Sequence, residues 1–156
     1  YTGRIPHTAP SSMKDRIENS SFIKVIPRFL HIDKIIQKSL LENDIYITFA
    51  NRDPCPNVVV EAMSYGLPVV GFASGGLPDI VKNAGVLLQE HEESFFYPYR
   101  YESDFPIIDN EKVLEAVIEV KNNLEEYRLS VQQRFVDELG LDIVAKKYLR
   151  TIESFL

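Results

Sequence analysis

The sequence predicts an α/β fold: a Rossmann-like, mostly parallel sheet with helices on both faces and a helical C-terminal tail. Short apolar runs rich in β-branched residues, Ile45–Phe49, Pro68–Ala73 and Val86–Leu88, alternate with segments of helical period. That order builds βαβ units. The middle run is apolar without interruption, as a strand covered on both faces must be. Beyond residue 108, apolar residues recur three and four apart, the period of a helix with one buried stripe.

Along the chain, Tyr1–Arg4 reads as the end of a strand, and Pro6 opens a polar stretch. Ser11 or Ser12 can cap a short helix through Glu18, because a serine hydroxyl accepts from the free amides of a first turn. Phe22–Ile26 has strand character and Pro27 stops it. Ile32, Ile35, Ile36, Leu40 and Leu41 lie on one helical face, and Ile45–Phe49 alternates as a strand does. After the strand Pro68–Ala73 comes a Ser74-Gly75-Gly76 turn, then a short helix over Leu77–Val81 with Pro78 in its first turn, where a missing N–H is harmless. Val86–Leu88 is the last strand. Residues 89–108 are irregular and aromatic, with Phe95, Phe96, Tyr97, Tyr99, Tyr101 and Phe105. Asp109 caps a helix carrying Val113, Val117, Val120 and Leu124. A second run with Tyr127, Val131 and Phe135 stops near Gly140, and Asp142 caps a final helix bearing Ile143, Val144, Tyr148, Ile152 and Phe155. The expected organisation is a Rossmann-like binding segment over 1–108, with the helices of 109–156 packed on the same domain.

With 156 residues, 45% apolar and 26% charged, the chain has an ordinary globular composition and can bury a core without staples. A single cysteine excludes an internal disulfide and favours a reducing compartment. The net charge of −6 argues against nucleic acid or an anionic membrane as the main partner. No apolar run approaches the roughly 20 residues of a membrane-spanning helix, and no signal peptide is visible; the expected location is cytoplasmic. The chain starts at Tyr1 in what reads as a strand already under way, so it is read as a piece of a longer protein.

Chemistry concentrates in DPCPNVVVEAMSYG, Asp53–Gly66. Three valines favour a strand, but a strand there would leave almost no connection to its neighbours. A helix fits better: Asn57 as cap, Val58–Val60 packed in the first turn, Glu61 just inside, and Gly66 at the position past the end where φ turns positive. The β-branched penalty is a few tenths of a kcal/mol per residue, which burial outweighs. This helix starts beyond a strand's carboxyl end, where open α/β sheets bind ligands, and its free amides and dipole favour phosphate. Asp53 and Glu61 flank it. Carboxylates beside phosphate fit the hydroxyls of a ribose or a sugar, so the residues point to a nucleotide or sugar-phosphate pocket. The plainer reading has Asp53 in a turn and Glu61 on a solvated helix face.

The string PCPNVVVEAMSYGLPVVGFASGGLPDIVKNAGVLL resembles the C-terminal lobe of the retaining glycosyltransferases of family four, also called group 1, which have the GT-B fold. The family carries an acid, seven residues, then glutamate; Asp53 and Glu61 have that spacing, with aspartate where the family usually has glutamate. AMSYGLPVV and Gly-Gly-Leu-Pro-Asp match its next segments, and the likeness is strong over residues 22–90. The resemblance implies that Glu61 holds the ribose hydroxyls of a nucleotide-sugar donor and that Asp53 contacts the transferred sugar. It implies that the backbone around Pro56, Asn57 and Val58 faces the diphosphate and that the loop with Arg28 lies near the base. Gly75 and Gly76 read first as turn geometry, with backbone approach to the donor sugar as the sharper alternative. The implied substrate is a UDP-, GDP- or ADP-linked sugar, transferred to a glycan, lipid or small-molecule hydroxyl, with no cofactor and no essential metal.

The family's basic pair, a Gly-Arg followed by Lys-Gly, is missing, since nothing after Gly3-Arg4 completes it. The first part of the lobe and the N-terminal lobe are therefore expected to lie outside this segment, together with any peripheral membrane contact, and the segment alone is expected not to catalyse transfer. Two rivals remain: a phosphoacceptor or flavodoxin-like module, which would want acids and a lysine not seen here, and a non-catalytic domain. Cys55 reads as a small loop residue. His7, His31 and His91 lack metal-ligand spacing. Glu90–Glu93 reads as a solvated face.

Overall fold

Val69, Val70, Gly71 and Phe72 are buried without exception, and they form the middle strand of a three-stranded parallel sheet. In the computed structural model, which describes residues 10–25, 32–50, 52–89 and 109–155, the chain forms two compact units, Tyr1–Leu41 and Glu42–Leu156.

The first unit holds α1 (Ser11–Glu18) and α2 (Ile32–Leu41). Neither serine caps α1. Pro10 precedes the helix with φ −52° and ψ 143°, and its carbonyl accepts from Met13 and Lys14 at 3.0 and 3.1 Å, so the serines fall inside the first turn. The expected strand over Phe22–Ile26 is absent from its described part, residues 22–25. Phe22 is 97% exposed. β propensity reflects packing on a neighbour more than a backbone preference, and these residues have no ladder partner among the described residues.

The second unit carries the order β1 (Tyr46–Thr48), α3 (Asn57–Ser64), β2 (Val69–Phe72), α4 (Leu77–Val81), β3 (Gly85–Leu88), α5 (Asn110–Asn122), α6 (Leu124–Arg134), a π-helical segment (Phe135–Leu139) and α7 (Leu141–Glu153). Tyr46 pairs with Val69 and Val69 with Gly85, and both ladders are parallel. Successive β2 side chains point to opposite faces, and a separate core lies on each. Val69 packs with Val59 and Met63 of α3, Leu77 and Val81 of α4, and Val131 of α6. Val70 packs with Ala116 and Val120 of α5. Helices therefore cover both faces, as the composition of the strands predicts. Each fully buried valine contributes about 1.5–3 kcal/mol by leaving water.

The helix preferred over a strand at 57–64 forms. Its end is a Schellman motif: Gly66, at φ +78°, donates to Met63 O at 2.9 Å and Leu67 to Ala62 O at 3.3 Å. Its start differs from expectation. Pro56 is the cap, with its carbonyl accepting from Val59 and Val60, and Asn57 is the first helical residue, making no capping bond. The valine turn is only partly packed: Val59 is buried, whereas Val58 is exposed. Asp109 caps α5 as expected, accepting from Glu111 and Lys112 at 3.0 and 3.3 Å. Asp142 does not cap α7. Gly140 does, through its carbonyl to Ile143 and Val144, and Asp142 sits in the first turn. No residue of α7 is buried, and Leu141, Tyr148, Ile152 and Phe155 are exposed.

Candidate functional site

The expected site lies where two crossovers leave the carboxyl edge of the sheet. The first runs from β1 through residues 52–56 into α3; the second runs from β2 through residues 73–76 into α4. Phe49 and Phe72, at the ends of the two strands, make a tilted ring contact with centroids 5.4 Å apart and planes inclined at 52°. This contact ties the strand ends together where the two loops begin.

The loops are joined through their backbones. Gly76 donates to the Asp53 carbonyl at 2.9 Å, and the Arg52 amide donates to the Ser74 hydroxyl at 2.8 Å. The approach is too close for side chains. A Cβ on Gly75 would lie 2.3 Å from Asp53 O, and one on Gly76 would lie 2.3 Å from Pro54 O. Gly75 also sits at φ +57°, a left-handed conformation that L side chains resist. The pair thus answers first to the chain's own backbone. Arg52 takes the same left-handed region, at φ +52°, without being glycine. Such strain persists where surrounding contacts hold it, and the Ser74 bond is one of them.

Asp53 is half-buried, and its Oδ1 accepts from the Cys55 amide at 3.0 Å, which orients the carboxylate within the turn. Among the described residues its other oxygen has no partner. The Cys55 thiol lies 3.7 Å from Asn57 Oδ1 and is exposed. The Asn57 and Val58 amides, in the first turn of α3, have no acceptor among the described residues, because the first carbonyl bonds begin at Val59. They carry the positive end of the helix dipole.

Glu61 stands on the exposed side of α3, opposite Val59, Ala62 and Met63. Its carboxylate has no hydrogen bond or ion pair among the described residues; only its backbone carbonyl is engaged, by Ser64 Oγ at 2.6 Å. Its charge is nevertheless felt in the sheet. The Tyr46 phenol is pushed above the usual tyrosine range, first by burial and then by Glu61. The fold therefore brings Asp53, Pro56, Asn57, Val58, Gly75 and Gly76 to one edge, with Glu61 one turn further along α3. Arg28 lies outside the described residues. The roles of Arg52 and Ser74 carry no sequence signal, because nothing local marks an arginine for positive φ or a serine for a partner 22 residues away.

No group of three His, Cys, Asp or Glu that could hold a metal occurs among the described residues. The open polar cleft lined by Asn83, Gly85, Glu119 and Tyr127 adjoins the amino end of β3 and contains none of the residues singled out above. Ligands of open parallel sheets bind at the other end, beyond the carboxyl ends of the strands. No helix among the described residues is long and apolar enough to cross a membrane.

The sequence model for the family described as glycosyl transferases group 1 matches residues 3–97. The chain belongs to this family. The match takes in both crossovers and every residue of the carboxyl-edge cluster. The chain is also similar to a probable sucrose-phosphate synthase from Thermosipho melanesiensis (strain DSM 12029 / CIP 104789 / BI429), at 24% identity over 132 residues. That similarity covers 83% of this chain and 27% of the relative, so the chain spans about a quarter of the length of the curated protein it matches. No solved structure matches.

Proposed function

We propose that this segment is the donor-binding part of a retaining glycosyltransferase that moves a sugar from a nucleotide-sugar donor to an acceptor hydroxyl, working with a second lobe of a longer polypeptide. The observation that carries the reading is the backbone junction of the 52–56 and 73–76 loops beside the unengaged amides of Asn57 and Val58. It forms an edge with amide donors for a diphosphate and a carboxylate on each side for hydroxyls. A relative named for the synthesis of sucrose phosphate fits transfer of a sugar unit.

In this reading the Asn57 and Val58 amides take the diphosphate, Glu61 accepts from the ribose hydroxyls, and Asp53 accepts from the transferred sugar. Gly75 and Gly76 keep the second loop low enough for the sugar to rest on its backbone, and Arg28 lies near the base. The bond between the anomeric carbon and the diphosphate breaks, and the acceptor oxygen bonds the same face of that carbon. Amides already aimed at the departing diphosphate stabilise its charge without reorganising, an effect worth several kcal/mol. The donor, UDP-, GDP- or ADP-linked, is a substrate, and the chemistry uses no resident cofactor.

The test is calorimetric titration of the full-length polypeptide with UDP-, GDP- and ADP-sugars. One of the three is expected to bind at one site per chain. Absence of heat with all three overturns the donor site. Proton NMR of the product's anomeric centre decides stereochemistry, and an inverted centre overturns the retaining assignment.

A further inference from the structure

The most buried cation among the described residues lies away from the carboxyl edge. Arg134, the last residue of α6, has a side chain only 6% exposed. Its Nε donates to Ile80 O at 3.1 Å, and its terminal nitrogens reach Asp79 O and the Glu138 carboxylate. Glu138 also accepts from Lys82 Nζ, at 3.2 Å to each oxygen. The two bonded carbonyls belong to the last turn of α4, where a cation complements the negative end of a helix. A buried charge requires such compensation, and only a planar fork reaches two carbonyls and a carboxylate together.

α4 has five residues and is too short to be stable by itself. Leu77 and Val81 seat it on the core. Apolar contact is non-directional, however, and does not set where a helix stops along its axis. The directional bonds are at its ends. At the amino end, Gly76 donates to Asp53 O; at the carboxyl end stand the Arg134 bonds. Lys82 leaves α4 at φ +47°, and its side chain pairs with Glu138.

We propose that Arg134 is a positioning residue for the carboxyl-edge loops: it holds α4 by its last carbonyls, and α4 holds Gly75 and Gly76 against Asp53 and Pro54. The consequence for transfer rests on the donor-site reading above; the mechanical linkage does not.

The experiment uses the full-length polypeptide with Arg134→Gln, Arg134→Lys and, as a control, Val131→Ala, which removes buried apolar volume from the same helix without touching α4 carbonyls. Amide exchange at Gly76 is measured relative to the core amide of Val70, below every melting temperature. Arg134→Gln is expected to raise that ratio about tenfold, Arg134→Lys to give a smaller rise, and Val131→Ala to leave it within about twofold. Donor affinity should weaken in the same order, with Val131→Ala near wild type. If Arg134→Gln does not fold, Glu138→Gln replaces it, with an expected rise of two- to threefold. An unchanged ratio in the folded Arg134 or Glu138 variants, or an equal change in Val131→Ala, overturns the proposal. If wild type binds no nucleotide sugar while the ratio responds as expected, the donor-site reading falls and the linkage stands.

Discussion

The amide of Gly76 donates to the carbonyl of Asp53 across 2.9 Å, and no side chain takes part. With the Arg52–Ser74 bond, it makes two loops from two crossovers into one body at the carboxyl edge of the sheet. The glycines are the condition for this contact.

Alanine at Gly76 would place its Cβ 2.3 Å from Pro54 O, against backbone that cannot swing aside. Gly76→Ala is expected to lower unfolding stability by about 1–3 kcal/mol, the range for a forced overpacking. Gly75→Ala, with the same 2.3 Å clash on Asp53 O and φ +57°, should lose about 1 kcal/mol more. Urea unfolding measures both. A Gly76→Ala protein with the wild-type midpoint and slope would show that the junction is not as tight as described.

The two faces of α3 should separate stability from activity. Met63 is 1% exposed in the core, so Met63→Ala is expected to cost about 2–5 kcal/mol. Glu61 is exposed and its carboxylate is unengaged among the described residues, so Glu61→Gln should stay within about 0.5 kcal/mol. If Glu61 binds the ribose, the same substitution should reduce turnover at low donor concentration by about 10- to 100-fold, the worth of a hydrogen bond to a charged acceptor. Melting curves and steady-state kinetics on the full-length polypeptide check both halves, and wild-type kinetics in Glu61→Gln removes the ribose role.

The Tyr127 phenol is pushed up to about 12, by burial first, then by its hydrogen bond to Glu119 at 2.7 Å and the charges of Glu119 and Glu126. Folding therefore favours the protonated phenol. The stabilisation is complete below the unfolded value near 10 and is lost as pH rises toward 12. The difference in melting temperature between wild type and Tyr127→Phe should be constant up to about pH 9.5 and shrink above it. Phenolate absorbance should show Tyr46 and Tyr127 both titrating above the usual tyrosine range, and Tyr127→Phe should lose one of these two late titrations; retention of both would assign the high value elsewhere.

Two helix starts give an opposed pair. Asp109 accepts from two first-turn amides, so Asp109→Ala is expected to lose about 1 kcal/mol. Asn57 begins α3 without a capping bond, so Asn57→Ala should change stability by less than about 0.5 kcal/mol. Chemical denaturation decides, and an equal loss at the two positions would restore Asn57 as a cap.

Much of this architecture was legible in the sequence. The uninterrupted apolar run at 68–73 announces a strand buried on both faces, and Gly66 announces the end of α3 because a Schellman turn needs positive φ. The helix itself was recoverable at Val58–Val60 only by weighing chain connectivity against β propensity. Other features depend on partners that no local pattern encodes. Phe22–Val25 looks like a strand but has no ladder to join among the described residues. Ser11 and Asn57 look like caps, yet a preceding proline supplies the turn and its carbonyl takes the first amides. Asp53 and Glu61 stand out by type and spacing, whereas the bonds of Arg52, Ser74 and Arg134 reach partners 22 to 55 residues away.

The sheet's register also bears on how the chain reaches this state. β2 meets β3 at a separation of 16 residues, Val69 to Gly85, and meets β1 at 23, Tyr46 to Val69. Closing the longer loop costs only about 0.3 kcal/mol more, so both pairings are nearly local and favour rapid formation. Gly85 lets β3 come in flush, since a Cβ there would meet Val69 O at 2.0 Å. The expected nucleus is β2–α4–β3, with low φ-values at Asp53 and Gly76 and high ones at Val70 and Val81. The carboxyl-edge loops would then set last, on a sheet already formed, where substitutions change the unfolding rate more than the folding rate.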